Sequence, residues 1–192
     1  MRVADLDILM VPGYTNSGPD HWQTRWETKL KTARRVEQAD WNRPDRDLWS
    51  GRVVDEVNRS RRPVVIIAHS CGVPTVVHAA SRLSPGRGPG LVMGAFLVAT
   101  PSEAKCAEIV GIDPAFAVFP RDPLPFPSLL VASSTDEYCT MEEAGDLALA
   151  WGSMLVEAGD AGHLNTASGH GPWADGAMRL GLFLKQLASA SQ

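Results

Sequence analysis

The chain has 192 residues, of which 44% are hydrophobic and 21% are charged, and its formal net charge is -4 at pH 7. These values are typical of one soluble globular domain, which we predict to span residues 1–192. The acidic balance offers no basic surface for nucleic acid, and no apolar run approaches the roughly 20 residues that a membrane-spanning helix needs.

The cysteines and the N-terminal segment indicate the compartment. The three cysteines, Cys71, Cys106 and Cys139, are widely spaced. An odd number without a C-x-x-C pair is typical of reduced thiols rather than of a disulfide framework or a metal site. Asp5 and Asp7 interrupt the segment that a signal peptide would need to be apolar. We therefore predict a cytoplasmic protein, and we expect no cofactor because no glycine-rich nucleotide loop follows a predicted strand.

Short apolar runs alternate with helical patterns along the chain, beginning with a predicted strand at residues 8–11 and a helix opened by Pro19–Asp20. The later predicted strands cover residues 36–39, 64–68, 91–99, 128–132 and 154–157. The later predicted helices cover residues 45–58, the segment after residue 72, and residues 141–151 and 173–187. This alternation predicts one α/β domain, a three-layer sandwich with a mostly parallel sheet.

The segment between the last two long apolar strands decides how open the site is. Residues 101–127 are rich in proline and too short for a cap domain, so we allow them only a few helical turns, around residues 104–109. We therefore predict no cap and a shallow, open cleft. Phe116 and Phe119 are candidates for its lining, and their alternative interpretation is ordinary core.

The strongest local motif follows the apolar strand at residues 64–68. Ala68-x-Ser70-x-Gly72 is a variant of the nucleophile elbow G-x-S-x-G, in which small residues permit a strained turn that presents the serine above the sheet edge. Ser70 would then lie at a helix N-terminus, where backbone amides favour a developing negative charge. The alternative is that Ser70 is only a helix N-cap.

Two further residues complete a candidate catalytic set. Asp136 follows the predicted strand at 128–132, and His163 follows the last strand. The order serine, aspartate, histidine at the carboxyl ends of parallel strands is that of α/β-hydrolases. Each residue also has an ordinary interpretation, as a turn aspartate and a loop histidine. Asp160 and His170 are competing candidates, but their positions relative to the strands suit the roles less well.

An acyl-transfer site also needs two backbone donors for the oxyanion. Cys71, the residue after the serine, supplies one, and Tyr14, in the loop after the first strand, is predicted to supply the other. Cys71 itself is a weaker candidate nucleophile, and its alternative role is that of a small buried hydrophobe.

Several longer stretches carry a family resemblance. They are Pro12-Gly13, Asn16-Ser17-Gly18-Pro19-Asp20-His21-Trp22-Gln23, Arg25-Trp26-Glu27, Asp40-Trp41, His69-Ser70, Pro123-Leu124-Pro125-Phe126-Pro127-Ser128, Asp136, Gly162-His163-Leu164-Asn165 and Ser168-Gly169. In these stretches the chain resembles the small serine hydrolases related to retinoblastoma-binding protein 9 and the bacterial YdeN proteins.

This resemblance covers nearly the whole chain and implies an α/β-hydrolase fold with a triad on Ser70, Asp136 and His163. It leaves the role of His170 open, because an apolar residue is expected there. We predict a serine hydrolase that acts on a small ester, thioester or amide, with the small-molecule substrate as its main partner. The alternative is a protein-interaction module on the same fold with little activity, which would have a protein partner.

Overall fold

The computed structural model describes residues 2–189, and within them six parallel strands form one sheet. The strands are β1 (Asp7–Val11), β2 (Ala33–Arg35), β3 (Val64–His69), β4 (Val92–Val98), β5 (Ser128–Ala132) and β6 (Met154–Glu157). The helices are α1 (Trp22–Lys29), α2 (Arg46–Asn58), α3 (Gly72–Ala79), α4 (Glu103–Ala107), α5 (Met141–Trp151) and α6 (Ala174–Ser189). The predicted alternation of strands and helices is confirmed.

The order of the strands across the sheet is β2-β1-β3-β4-β5-β6, and it reverses direction once. The chain runs from β1 to β2 on one side, then crosses back to β3 on the other side. The loops that follow β1 and β3 therefore diverge and leave a crevice at the carboxyl edge, where open parallel sheets bind their ligands. Gly13 and Ser70, which follow these two strands, lie beside this crevice.

The alternating side chains of β3 divide the core into two layers. Val65 and Ile67 belong to a cluster with the tryptophans of α1 and the apolar face of α6. Ile66 and Ala68 belong to a second cluster, with the buried faces of α2, α3 and α5. Every residue of β3 is buried, as expected for a strand covered on both faces. The predicted three-layer sandwich is therefore confirmed.

The second strand does not lie where the sequence analysis predicted it. Residues 36–39 are more apolar, but the strand is Ala33–Arg35, which pairs with β1 at the edge of the sheet. Its Arg35 forms an ion pair with Glu27 at 2.8 Å. An edge strand keeps one side open to water, so charged residues are tolerated there and the apolar signature of a buried strand is missing.

The first helix also begins later than predicted. Pro19 and Asp20 form a turn, and His21 is the N-cap residue of α1, because its Nδ1 accepts a hydrogen bond from the backbone N–H of Gln23 at 3.2 Å. The other predicted helices and strands agree with the structure to within two residues at each end.

The segment between β4 and β5 forms no cap. It contains the short helix α4 and turns, so the predicted absence of a cap domain is confirmed. The prediction that Phe116 and Phe119 line the cleft is wrong. Their exposed fractions are 0% and 3%, and their rings pack against Trp49 and Trp151. The segment thus places Phe116 and Phe119 in the core, where the burial of their rings stabilises the fold. Within residues 2–189, no helix is long and apolar enough to cross a membrane.

Candidate active site

The turn between β3 and α3 has the strained geometry of a nucleophile elbow. Ser70 lies in the left-handed region with φ 54°, which is costly for a residue with a side chain. The backbone N–H of Ser70 donates to the carbonyl of Val98 at 3.0 Å, which fixes the turn to β4. The N-cap residue of α3 is Cys71 rather than Ser70. The interpretation of Ser70 as a simple helix cap is therefore wrong.

A glycine is required immediately after this turn. A Cβ added to Gly72 would lie 2.1 Å from the carbonyl oxygen of Val11, and one added to Gly13 would lie 2.8 Å from the backbone nitrogen of Cys71. These two glycines let the end of β1 approach the elbow closely. The elbow forms with Ala68, a buried core residue, at the position where the full motif has its first glycine.

Ser70, His163 and Asp136 form a continuous line of hydrogen bonds. The Oγ of Ser70 lies 2.9 Å from Nε2 of His163, and Nδ1 of His163 lies 2.9 Å from both carboxylate oxygens of Asp136. Because a carboxylate only accepts, Nδ1 carries the proton and Nε2 is free to accept from the serine hydroxyl. The side chains of His163 and Asp136 are 9% and 2% exposed. The three residues predicted from the sequence are therefore adjacent in the structure.

The loops that carry Asp136 and His163 are tied to each other. The backbone N–H of Ala161 donates to Oγ of Ser133 at 2.9 Å, and that of Gly162 donates to Oγ1 of Thr135 at 3.0 Å. Side chains from the loop after β5 therefore hold the backbone of the loop after β6, which fixes the carboxylate relative to the imidazole.

A cavity of about 400 Å³ opens beside Ser70. Loops that follow β1, β3, β4, β5 and β6 surround it. Its lining comprises Gly13, Tyr14, Thr15, Asn16, Gly18, His21, His69, Ser70, Cys71, Pro101, Lys105, Ile109, Tyr138, His163, Asn165, Thr166 and Ala167. Besides histidines, the aromatic residues of this lining are Tyr14 and Tyr138. The centroid of the Tyr138 ring lies 4.5 Å from that of the His163 ring.

Tyr14 and Cys71, the predicted oxyanion donors, both line this cavity. Within residues 2–189, neither amide donates to a backbone carbonyl. The loop after Tyr14 is held in a strained shape, with left-handed φ angles of 64° at Thr15 and 66° at Asn16. Arg35 stabilises it by donating to Oδ1 of Asn16 at 2.8 Å. Two amides that donate to no backbone carbonyl thus lie beside the serine.

The thiol of Cys71 does not reach the cavity as a nucleophile would. Cys71 is 1% exposed and belongs to the core, where its sulfur lies beside the thiol of Cys106. The pKa of Cys106 is raised, because its thiol donates to this neighbour and because it is buried. Cys71 therefore has the predicted role of a small buried residue, with its backbone amide at the site.

The competing acid and base lie elsewhere. His170 does not line the cavity; its Nδ1 lies 3.2 Å from Oγ of Ser168, and its ring packs against Trp173. Asp160 accepts from Oγ of Ser134 at 2.7 Å. Neither of the two is bonded to His163 or Ser70. Within the described part of the chain, no group of three or more potential metal ligands is found.

Two buried histidines beside His163 were not predicted as site residues. The ring of His69 lies 5.1 Å from that of His163, and the ring of His21 lies 4.8 Å from that of His69. Burial lowers the pKa of His69 well below its ordinary value and that of His21 to about 4; in both, the charge of a neighbouring histidine or arginine adds to the effect. Both rings are neutral near pH 7. The only sequence signal was their place within the family-like stretches.

The lowered pKa of His21 predicts a pH-dependent stability. An unfolded chain has the ordinary histidine pKa of about 6.5, so between pH 6.5 and 4 the unfolded state binds more protons than the folded state. The free energy of unfolding should therefore fall as the pH drops through this window, by at most about 3 kcal/mol for this residue. Urea unfolding at pH 7 and pH 4.5 measures the loss.

The matched variant for this measurement is His21→Asn. Asparagine keeps the acceptor for the N-cap bond to Gln23 but does not titrate. The variant should lose less stability than the original protein between the two pH values. An equal loss in both proteins would contradict the assignment to His21.

The fold and the geometry at Ser70 define a class of protein. A parallel sheet covered by helices on both faces, with a serine on a strained turn between a strand and a helix, is the architecture of the α/β hydrolases. A family model described as "Serine hydrolase" matches residues 8–182. The chain belongs to this serine hydrolase family, and it is an enzyme of that class.

Solved structures agree with this assignment. The chain is 32% identical to a YdeN-like hydrolase from Pectobacterium atrosepticum, with a TM-score of 0.82 over 95% of this chain and 92% of that one. It shares its fold with the ydeN gene product of B. subtilis (17% identity, TM-score 0.76, 93% and 98% covered). It also shares its fold with Thermogutta terrifontis esterase 2 (16% identity, TM-score 0.67, 97% and 86% covered). No curated protein matches the chain by sequence. The predicted relation to YdeN is confirmed, and that to retinoblastoma-binding protein 9 stays a prediction.

Proposed function

We propose that this serine hydrolase cleaves small carboxylic esters through Ser70, His163 and Asp136, with thioesters and amides as the alternative substrate classes. The observation that carries the proposal is the line of hydrogen bonds from the Ser70 hydroxyl through both nitrogens of His163 to Asp136. A serine hydroxyl is a poor nucleophile until a base takes its proton. A neutral imidazole oriented by a carboxylate is suited to that task near pH 7.

In the first half of the reaction, Oγ of Ser70 attacks the ester carbonyl carbon and its proton moves to Nε2 of His163. The electron pair of the carbonyl shifts to its oxygen, and the backbone N–H groups of Tyr14 and Cys71 donate to this oxyanion. The tetrahedral intermediate then collapses. The bond to the alcohol oxygen breaks, Nε2 returns the proton to that oxygen, and an acyl group remains on Ser70.

In the second half, a water molecule attacks the acyl carbon while Nε2 of His163 takes one of its protons. Collapse of the second intermediate breaks the bond to Ser70, whose oxygen recovers the proton, and releases the carboxylic acid. Asp136 keeps the imidazole in the required tautomer and stabilises the imidazolium that forms in each half. No cofactor takes part in this scheme.

A fluorophosphonate probe tests the proposal directly, because it forms a covalent bond only with an activated serine. The original protein should be labelled at one position, identified as Ser70 by peptide mass spectrometry, and Ser70→Ala should not be labelled. Ser134→Ala, a change at an exposed serine, is the matched control and should label at the original rate. Absence of labelling in the original protein would favour the alternative of a protein-interaction module with little activity.

The size of the cavity predicts a preference for short acyl chains. With about 400 Å³ and no cap domain, each added methylene beyond a short chain gains little of the roughly 0.8 kcal/mol that full burial would give. Esterase 2 from Thermogutta terrifontis has been solved with butyrate and with propionate bound, which agrees with short acyl groups. In a p-nitrophenyl ester series, kcat/KM should peak at about two to four acyl carbons. A steady rise with chain length would contradict this preference.

The other partners and the location of the protein stay predictions. The proposal requires only a small-molecule substrate. The prediction of a cytoplasmic location is supported by the three cysteines, whose thiols are free in the structure.

A further inference from the structure

Two ring N–H groups bind consecutive carbonyl oxygens of the loop that carries His163. The Nε2 of His69 lies 2.9 Å from the carbonyl oxygen of His163, and Nε1 of Trp22 lies 2.8 Å from that of Leu164. Both bonds are buried, and they join segments 94 and 142 residues apart in the sequence. The mechanism proposed above uses neither side chain.

The position of His69 follows from the alternation of side chains along β3. Val65 and Ile67 face the layer formed by α1 and α6, and His69, two residues further, is the last residue of β3 and lies on the same face at the carboxyl end of the strand. It is 5% exposed. A carbonyl only accepts, so Nε2 of His69 carries the proton and donates. Burial lowers the pKa of this imidazole well below its ordinary value, and the neighbouring His163 and His21 lower it further. The ring therefore stays neutral and the bond persists over the working pH range.

The loop that receives these bonds needs external support. Leu164, the residue after the base, has a left-handed φ of 50°, which is strained for a branched side chain and persists only where the surroundings impose it. A base that is displaced by about 1 Å from its nucleophile can lose on the order of 100-fold in rate. The two buried donors hold two consecutive peptide groups, those that follow His163 and Leu164.

We infer that His69 is a positioning residue, with Trp22 in support, whose N–H holds the backbone of His163 so that its imidazole reaches the hydroxyl of Ser70. This inference rests on the proposed role of His163 as the general base. His69 takes no part in the bond-making steps of this scheme, and only 5% of it is exposed at the cavity wall. It acts through the main chain of the base.

The test compares two substitutions of His69. His69→Phe keeps a flat ring in the buried position but removes the donor, and His69→Gln keeps an N–H donor of similar reach. We expect His69→Phe to lower kcat for a short p-nitrophenyl ester about 10- to 100-fold, with KM changed less than about threefold, because His69 is only 5% exposed and the rest of the cavity lining is unchanged. His69→Gln should recover at least about tenfold of that loss. The rate of fluorophosphonate labelling at Ser70 should follow kcat.

The matched control is His78→Phe. His78 also has Nε2 2.9 Å from a backbone carbonyl oxygen, that of Phe116, but it lies on α3 and does not line the cavity. This variant should lose thermal stability without a loss of kcat. Trp22→Phe is the second test of the same loop, and it should also lower kcat more than KM. It keeps the inference testable if His69→Phe does not fold.

Each outcome has a clear meaning. A His69→Phe enzyme with the original kcat, or a His69→Gln enzyme as slow as His69→Phe, overturns the assignment of the hydrogen bond. So does a loss of kcat in His78→Phe as large as that in His69→Phe, because it would show a general effect of stability. If His69→Phe does not fold, an unchanged kcat in Trp22→Phe overturns the inference. Failure of the original protein to label at Ser70 is a different result, since it contradicts the proposed function itself.

Discussion

Replacement of Ser70 by alanine should lower kcat for ester hydrolysis by on the order of 10⁴- to 10⁶-fold, as expected when a triad loses its nucleophile. His163→Ala should cost a similar factor. Asp136→Asn should cost about 10⁴-fold, because an amide donates to Nδ1 and favours the tautomer with the proton on Nε2, which cannot accept from the serine. Steady-state kinetics measure the losses, and thermal melting establishes that the variants are folded.

The double variant Ser70→Ala with His163→Ala should be hardly slower than either single variant, because the residues act as one unit. His170→Ala is the matched control, since its ring packs against Trp173 and lies outside the cavity. It should keep kcat within about threefold. A loss in His170→Ala comparable to that in His163→Ala would contradict the assignment of the base.

Gly72→Ala should destabilise the protein by about 3 kcal/mol or more, at the upper end of what overpacking costs. The added methyl carbon would lie 2.1 Å from the carbonyl oxygen of Val11 and 2.9 Å from that of Pro12. These are backbone atoms, which cannot move aside as the end of a flexible side chain can. The end of β1 must shift away from the elbow, and the amide of Tyr14 moves with it. Urea unfolding measures the lost stability, and kcat should fall in any folded fraction.

Gly145→Ala is the matched control for this substitution. Gly145 lies within α5 and has no heavy atom within 4 Å of an added Cβ. Alanine is the better helix former, so this variant should gain about 0.5–1 kcal/mol. If Gly72→Ala and Gly145→Ala unfold at the same urea concentration, the close approach of β1 to the elbow does not constrain the fold as described.

The adjacency of Ser70, His163 and Asp136 could be predicted from the sequence because each residue carries a local mark. Four apolar β-branched residues, at positions 64–67, come shortly before Ser70, and Gly72 comes two residues after it. This pattern is typical of a buried strand that ends in a tight turn. Asp136 and His163 each lie in the loop that follows a run of strand-forming residues. Since the carboxyl ends of parallel strands share one edge, the positions of these three residues after predicted strands were sufficient to predict that they lie close together.

The edge of the sheet and the lining of the cleft could not be predicted in this way. The strand β2 has half-buried arginines, and it is a strand because β1 offers it hydrogen bonds. Phe116 and Phe119 have no local mark that separates core from cleft. Their burial depends on Trp49 and Trp151, which belong to helices distant in sequence.

The support around His163 was decided only by the tertiary structure. In the sequence, Trp22 has the spacing of an ordinary core residue, and His69 is only the neighbour of the serine. Their N–H groups find the carbonyls of Leu164 and His163 across 142 and 94 residues. A hydrogen bond of this kind depends on where two loops meet after the sheet has formed. Local patterns of apolarity and turn residues therefore specify which side chains meet at the candidate site, whereas long-range packing specifies how firmly they are held.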